Sequence, residues 1–304
     1  MKTANRKGIA AILSALLIIA PVVISAQESI PVPAQRVVLI TGSTGGLGRE
    51  TAKALARQGD HVIIHGRNAE RGEALVAEIT AEGNGSARFY RADFANLIEI
   101  RALGESILSD YDRLDVLVNN AGIFFPNSTE RSLSEDGYEL NFQVNYLSGY
   151  MLTRMLTPLL EASAPSRIIN VSSGAQQALD FGDLMLESSY DGRRAYAQSK
   201  LAQIMMTFAF ADDLSERGIT TNALHPSSLM NTDMVLEAGI DPRSSVETGR
   251  DALLHLINDD VGTGKYFRVF EEARARPQAY DTEALARLME ISADLVSTGL
   301  DDTN

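Results

Sequence analysis

The chain has 304 residues, of which 45% are hydrophobic, and a formal net charge of -13 with a pI near 4.8. Without clustered Lys and Arg this acidic balance excludes nucleic acid as a partner, because phosphate contacts need such clusters. The chain contains no Cys, which excludes disulfides and thiolate metal sites, and its four His are scattered without metal-ligand spacing, so no metal is expected.

Residues 1–26 differ from the rest. Lys2, Arg6 and Lys7 precede a nearly unbroken apolar run from Gly8 to Ile24, and Ser25-Ala26 offers small residues for cleavage before Gln27. This is the layout of a secretory signal peptide. The run is also close to the roughly 20 residues that span a bilayer, so an uncleaved membrane anchor is the alternative. Both readings put the positive end in the cytoplasm and the domain beyond the membrane, exported or membrane-anchored. A start codon assigned too far upstream would instead leave the protein cytoplasmic. Residues 27–35, with Pro31 and Pro33, read as a short extended linker, and residues 36–304 as one domain.

Within that domain, strands and helices alternate. Arg36–Ile40 is a β-branched apolar run that reads as a buried strand, followed by a glycine turn and a helix over Arg49–Arg57. A strand at His61–His65, a helix at Ala69–Glu82, a weaker strand at Ala87–Ala92 and a helix at Leu97–Leu108 come next. Then follow a strand at Leu114–Val118, a long helix over Ser134–Leu160, a strand at Arg167–Val171 and a helix over Arg194–Arg217. The pattern ends with strands at Ile219–Leu224 and Gly264–Phe270 and helices at Val246–Ile257 and Thr282–Val296. Such alternation predicts a Rossmann-type α/β fold: one doubly wound, parallel, seven-stranded sheet in a single domain.

Thr41-Gly42-Ser43-Thr44-Gly45-Gly46-Leu47-Gly48 lies between the first strand and its helix. Glycines there let the backbone approach a pyrophosphate, and the free N–H groups and dipole of the helix favour its negative charge. The second strand ends in His65-Gly66-Arg67, with a cation and no acid. An acid at this point accepts a ribose 2′-hydroxyl, whereas Arg accommodates a 2′-phosphate, so NADP is expected over NAD.

Tyr196 and Lys200 are four residues apart on a predicted helix and share one face. A nearby ammonium stabilises a phenolate, which makes Tyr196 a candidate general acid/base. Ser172-Ser173 adds hydroxyls at the end of the fifth strand, where α/β sheets place ligands. From Ser227 to Pro242 the chain lacks a period and carries Leu229, Met230, Met234, Val235 and Leu236, which reads as a substrate lid or as Met filling core gaps. His225 reads as structural, with no base or ligand partner near it in sequence.

Together these motifs resemble the short-chain dehydrogenase/reductase family, from about Arg36 to Val296. The glycine turn, Asp93, Asn119-Asn120-Ala121-Gly122, Asn145, Ser173 and the Tyr196/Lys200 pair occur in the family's order. The resemblance implies a coenzyme site made of Thr41, Gly42, Ser43, Gly46, Leu47, Gly48, Arg67, Asp93, Phe94, Asn120, Ala121, Gly122, Pro226 and Thr232, with Tyr196 and Lys200 serving it too. It also implies that Tyr196 exchanges a proton with the substrate oxygen and that Lys200 lowers the Tyr pKa and holds the nicotinamide ribose. Ser173 would orient the carbonyl, and Asn145 would hold a water in the proton relay. The segment Gly174–Gly192 and the Gly264-Lys265-Tyr266-Phe267 strand look most like the retinol-dehydrogenase-like subgroup. His225-Pro226-Ser227-Ser228 departs from the family's usual Pro-Gly.

The function implied is an NADP(H)-dependent alcohol dehydrogenase or carbonyl reductase acting on a small, apolar alcohol or carbonyl, with membrane association through the N-terminus and a homodimer left open. Two other readings exist: a dinucleotide-binding sensor without turnover, and a sugar-nucleotide epimerase, whose Thr-Gly-x-x-Gly-x-x-Gly pattern the turn also satisfies.

Overall fold

The computed structural model describes residues 35–301. In chain order it forms β1 (Val37–Ile40), α1 (Gly46–Arg57), β2 (His61–Gly66), α2 (Ala69–Glu82), β3 (Ser86–Arg91), α3 (Leu97–Asp110) and β4 (Val116–Asn119). Next come α4 (Leu140–Phe142), a π-helical turn (Gln143–Leu147), α5 (Ser148–Ala162), β5 (Ser166–Val171), α6 (Gly192–Leu214) and β6 (Ile219–His225). The chain ends with α7 (Asp233–Glu237), α8 (Val246–Asn258), β7 (Lys265–Arg268), β8 (Glu271–Ala273) and α9 (Thr282–Asp301).

The strands form one sheet in the order β3-β2-β1-β4-β5-β6-β7-β8. All neighbours are parallel except the last pair. A strand shows alternate residues to opposite faces, and β1 uses both. Val37 and Leu39 join the apolar layer under α3, α5, α6 and α9, whereas Val38 and Ile40 join the layer under α1, α2 and α8. Every residue of β1 is buried, which explains the unbroken apolar run. The chain runs outward from β1 to β3 and returns to β4 on the other side of β1. The reversal leaves a crevice at the carboxyl ends of β1 and β4, the place where doubly wound sheets hold ligands.

Two expectations need correction. The seven strands are eight, because the Gly264–Phe270 segment does not run straight: Val269, at φ +57°, and Phe270 turn the chain, and β8 pairs back antiparallel on β7. The helix expected from Ser134 begins only at Leu140. Residues 133–139 instead make a tight turn closed by a Leu133–Glu139 bridge, with Gly137 at φ +81° and the Glu139 carboxylate capping the Phe142 amide at 2.7 Å. The signal or anchor expected at residues 1–26 and most of the linker lie outside the described residues. Among the described helices none is long and apolar enough to cross a membrane.

Candidate active site

The glycine turn is bolted to the end of β4. The Thr41 hydroxyl donates to the Val118 carbonyl at 3.3 Å and accepts from the Asn120 and Ala121 amides, each at 2.9 Å. The Asn120 side chain donates in return to the Thr41 carbonyl at 2.8 Å. Gly42 sits at φ +64°, and a Cβ there would lie 2.8 Å from Ala121 Cα. A Cβ on Gly48 would lie 2.7 Å from the Gly42 carbonyl oxygen, so neither position admits a side chain. Ser43 closes the turn inward, donating to the Ile40 carbonyl at 2.8 Å and accepting from the His65 amide at 3.1 Å.

α1 starts from Gly45 with no side-chain cap and no acid in its first turn. Its leading N–H groups and positive dipole end are therefore available to an anion, beside glycines that let it come close. This donor set fits a dinucleotide pyrophosphate. Leu47, on the opposite side, is buried in the α1/α8 layer.

At the adenosine end, Arg67 is two-thirds exposed and its guanidinium lies 3.7 Å from the Asp93 carboxylate. Asp93 itself is held by its amide on Glu99, at 2.7 Å, and caps the Ala95 amide at 3.0 Å. The Phe94 side chain is buried and stacks on His65 with ring centroids 4.3 Å apart. Arg71, on α2, reaches the lid and pairs with Asp233 at 3.1 Å.

The lid, residues 227–242, is partly ordered by α7. Thr232 begins that helix, and its methyl would touch a Cβ on Gly46 at 3.3 Å, which places the lid over the glycine turn. Met230 fills the α1/α8 layer against Gly249 and buried Pro226, the gap-filling reading, while Leu236 stays exposed. His225 is buried, its Nε2 lies 3.0 Å from the Ser228 hydroxyl, and burial together with Arg268 pulls its pKa down to about 4.

The catalytic candidates converge at the end of β5. Ser173 follows that strand, its carbonyl held by the Tyr266 hydroxyl at 3.1 Å. Burial raises the pKa of the Tyr196 phenol from α6, and the Ser173 hydroxyl beside it works the other way. One turn on, Lys200 is buried, and its ammonium donates to the Val171 carbonyl at 3.0 Å and to Gln203 Oε1 at 2.8 Å. It lies 5.7 Å from the Tyr196 ring centroid, and burial brings its pKa down to about 7. Asn145 occupies the π-helical turn, an element that is rare and often found at functional sites. Its amide accepts from the Ile123 amide at 2.7 Å and donates to the Ile123 carbonyl and to Ser199. A Cβ on Gly122 would sit 3.2 Å from Asn145 Oδ1 and 3.4 Å from Lys200 Nζ, so Gly122 leaves room where these side chains meet.

The structure adds residues that the sequence did not single out. His65 accepts from the Gly42 amide through Nδ1 and bonds the Ala92 carbonyl through Nε2, each at 3.2 Å. Gln203 holds the Lys200 ammonium; its spacing of three from Lys200 on a helix was the available signal. Behind the site, Asn119 bonds Asn170 at 2.8 Å and Thr153 at 3.1 Å, tying β4 to β5 and α5. Among the described residues no His/Asp/Glu group could hold a metal.

A doubly wound sheet, an uncapped helix behind a glycine turn, and a Ser–Tyr–Lys group at the carboxyl end of β5 fit a nicotinamide-dependent oxidoreductase. Residues 36–242 match the short chain dehydrogenase family, and the chain belongs to it. It is an NAD(P)-dependent enzyme acting on alcohols, of the retinol-dehydrogenase-like kind. Retinol dehydrogenase 13 of Mus musculus is 35% identical over 289 residues, covering 87% of this chain and 85% of that protein. Retinol dehydrogenase 11 of Homo sapiens is 32% identical, covering 88% of this chain and 87% of its own. Among solved structures, a short chain dehydrogenase of Salmonella enterica superposes with a TM-score of 0.65 at 27% identity, covering 78% of this chain and 96% of that one. One from Escherichia coli CFT073, solved with NADPH, gives 0.63 at 27% identity, covering 78% and 97%.

Proposed function

We propose that the protein is an NADP(H)-dependent oxidoreductase that interconverts an apolar alcohol and its carbonyl compound. The observation that carries the catalytic part is buried Lys200, anchored on the Val171 carbonyl at the end of β5, with its ammonium 5.7 Å from the Tyr196 ring and the Ser173 hydroxyl beside that phenol. A nicotinamide coenzyme held by the glycine turn and the N-terminus of α1 would supply or accept the hydride. Tyr196 gives its phenolic proton to the carbonyl oxygen in reduction and takes it back in oxidation. Ser173 donates a hydrogen bond to the same oxygen and fixes the carbonyl against the phenol. Lys200 needs its charge to favour the phenolate, and a negatively charged coenzyme nearby raises its pKa from about 7. Asn145 braces the Ile123 loop beside Lys200 and stations the proton relay there.

NADP over NAD rests on Arg67, the absence of an acid at the end of β2, and the NADPH bound in the Escherichia coli relative. An apolar substrate rests on the name that the relatives carry, retinol dehydrogenase, and on the aromatic wall beside Tyr196, where the Phe124 ring lies 4.5 Å from the Tyr ring. Following NADPH and NADH oxidation against aldehydes, ketones and retinoid carbonyls tests both points. Equal rates with NADH would sink the coenzyme choice, and preference for a sugar or an organic acid would sink the substrate class. The N-terminal pattern supports an exported or membrane-anchored domain; residues 1–35 fused to a reporter should carry it across the membrane, and a reporter confined to the cytosol refutes this.

A further inference from the structure

A cavity of about 450 Å³ opens between the 124–132 loop, the start of α4 and the end of α7. Phe124 belongs both to this cavity and to the catalytic group, since its ring contacts Tyr196. The lid forms the other side: Glu237 and Ala238 line it, and Asn127 ties it down by donating to the Ala238 carbonyl at 3.2 Å.

The lining has an apolar side and a polar end. Phe124, Phe125, Pro126 and Leu140 make the first, Tyr190 and Asn141 the second, and Asn127, Ser128 and Ser132 add further polar groups to the lining. Behind the polar end lies Glu139, buried and, among the described residues, without a cation partner. Its Oε1 accepts from the Asn141 amide at 2.9 Å and from the Tyr190 hydroxyl at 3.2 Å. Those bonds use up donors. The Tyr190 proton goes to Glu139, and burial followed by that carboxylate holds the phenol well above its usual pKa, so the proton stays. What remains is acceptor capacity: the Tyr190 hydroxyl accepts only one long bond, from the Asn141 amide at 3.4 Å, and Asn141 Oδ1 is buried with no partner. Capping of α4 explains the Glu139 carboxylate but leaves the Asn141 oxygen unaccounted for. An unpaired buried acceptor is rare in folded proteins and calls for a donor. No Lys or Arg lines the cavity, while Glu237 adds a second carboxylate.

We propose that this cavity is the distal subsite for substrate, and that it takes a neutral compound whose apolar body carries a hydroxyl at the end remote from the reacting carbonyl. An anionic end would face the Glu237 carboxylate in the lining, with Glu139 buried behind it and no cation among the lining residues, and an unpaired charge brought into such a place is disfavoured. A hydroxyl would meet open acceptors instead. The proposal rests on Tyr196 marking the reacting end.

Decanal, ω-hydroxydecanal and the ω-carboxylate of the same length separate these cases with NADPH as coenzyme. The hydroxyl compound should exceed decanal in kcat/KM by roughly threefold to tenfold, the worth of about one neutral hydrogen bond, and the carboxylate should fall below decanal. Calorimetry with decanol, decanediol and ω-hydroxydecanoate, with and without coenzyme, reads the same order without turnover. Tyr190→Phe should bring the hydroxyl-to-plain ratio near one, and Glu237→Lys, at an exposed lid position, should recover carboxylate binding. A diol that binds no tighter than decanol, or a preference that survives Tyr190→Phe, overturns the proposal. Binding in the expected order without reduction of any aldehyde would uphold this subsite and refute the assignment of Tyr196.

Discussion

Thr44 stands where a side chain on Gly66 would go: an ideal Cβ at Gly66 lies 2.6 Å from Thr44 Cγ2 and 2.7 Å from its hydroxyl. The strand end that would carry an acid in an NAD-preferring enzyme is thus filled from the glycine turn. Gly66→Asp alone should overpack this contact, costing about 1–3 kcal/mol of stability and weakening both coenzymes alike. Thr44→Ala with Gly66→Asp and Arg67→Asn relieves the clash, removes the cation and adds the acid. One charge-assisted contact to phosphate is worth about 1.5–3 kcal/mol, so preference should move from NADP toward NAD by roughly tenfold to a hundredfold. Calorimetric titration of both coenzymes measures it. An unchanged ratio would mean that Arg67, largely exposed, does not read the 2′-phosphate.

His65 is the hinge pin of the same turn, and it works only when neutral. Its Nδ1 must keep a lone pair for the Gly42 amide, and burial pulls its pKa to about 4. His61 and His225 are likewise buried and brought to about 4. In the unfolded chain each titrates near 6.5. Native protein therefore binds fewer protons than unfolded protein between these values. The stability these groups carry is complete above about pH 6.5 and is lost as pH falls toward 4. At about 1.4 kcal/mol per pH unit, each His accounts for roughly 3 kcal/mol at most. Thermal unfolding from pH 7 to 4 should show a steep drop in Tm, and His65→Gln should reduce its slope. A flat profile across that range would contradict the buried neutral state.

How much of this was open to a reader of the chain alone varied with the kind of signal. The β1–turn–α1 unit and the Ser173, Tyr196 and Lys200 positions were legible because local pattern and local structure coincide: a buried run, glycines where backbone must pass backbone, and helical spacing. β8 was not legible, since its turn places the β-branched Val269 at positive φ where Gly or Asn is usual, a conformation only tertiary contact sustains. The late start of α4 was hidden because Ser134 and Glu135 look like a helix entry, whereas the true cap is Glu139. His65 gave no signal at all; in a strand buried on both faces, alternation cannot mark which side chain turns toward the glycine loop.

Lys200 predicts a proton balance. With its pKa near 7, a large share of the ammonium is neutral in the free protein at pH 8. A coenzyme that contacts this group and carries negative phosphates favours its charged form and raises the pKa. Coenzyme binding at pH 8 should therefore take up protons, approaching one per site, and the uptake should vanish below about pH 6, where Lys200 is already charged. Calorimetry in buffers of different ionisation enthalpy reads the count directly. Lys200→Met should abolish it, whereas Tyr196→Phe should leave it in place. Proton release in place of uptake would show that another group dominates.

Variants at Tyr196 and Lys200 then separate catalysis from structure. Tyr196→Phe keeps the ring and its contact with Phe124 but removes the proton that the substrate oxygen must gain or lose. General acid/base assistance is worth roughly a hundredfold to ten-thousandfold, so turnover should fall by at least that much. Coenzyme affinity should change little, because the glycine turn, the α1 N-terminus and Arg67 are untouched. Lys200→Met should act on both, since the proposed mechanism has the ammonium serve the phenol and the ribose together. For stability, two effects oppose each other in that variant. Removing a buried amine relieves its desolvation, but the Val171 carbonyl and Gln203 Oε1 lose their donor, at about 1–3 kcal/mol each. The Tm should stay within a few degrees of the parent, so lost turnover cannot be assigned to unfolding. Gln203→Leu, which leaves the ammonium its Val171 contact only, should shift the pH profile of turnover and leave the deep loss of Tyr196→Phe unmatched. Single-turnover rates, coenzyme titrations and melting curves on the three variants decide. Parental turnover in Tyr196→Phe would remove it from the chemistry, whatever its geometry.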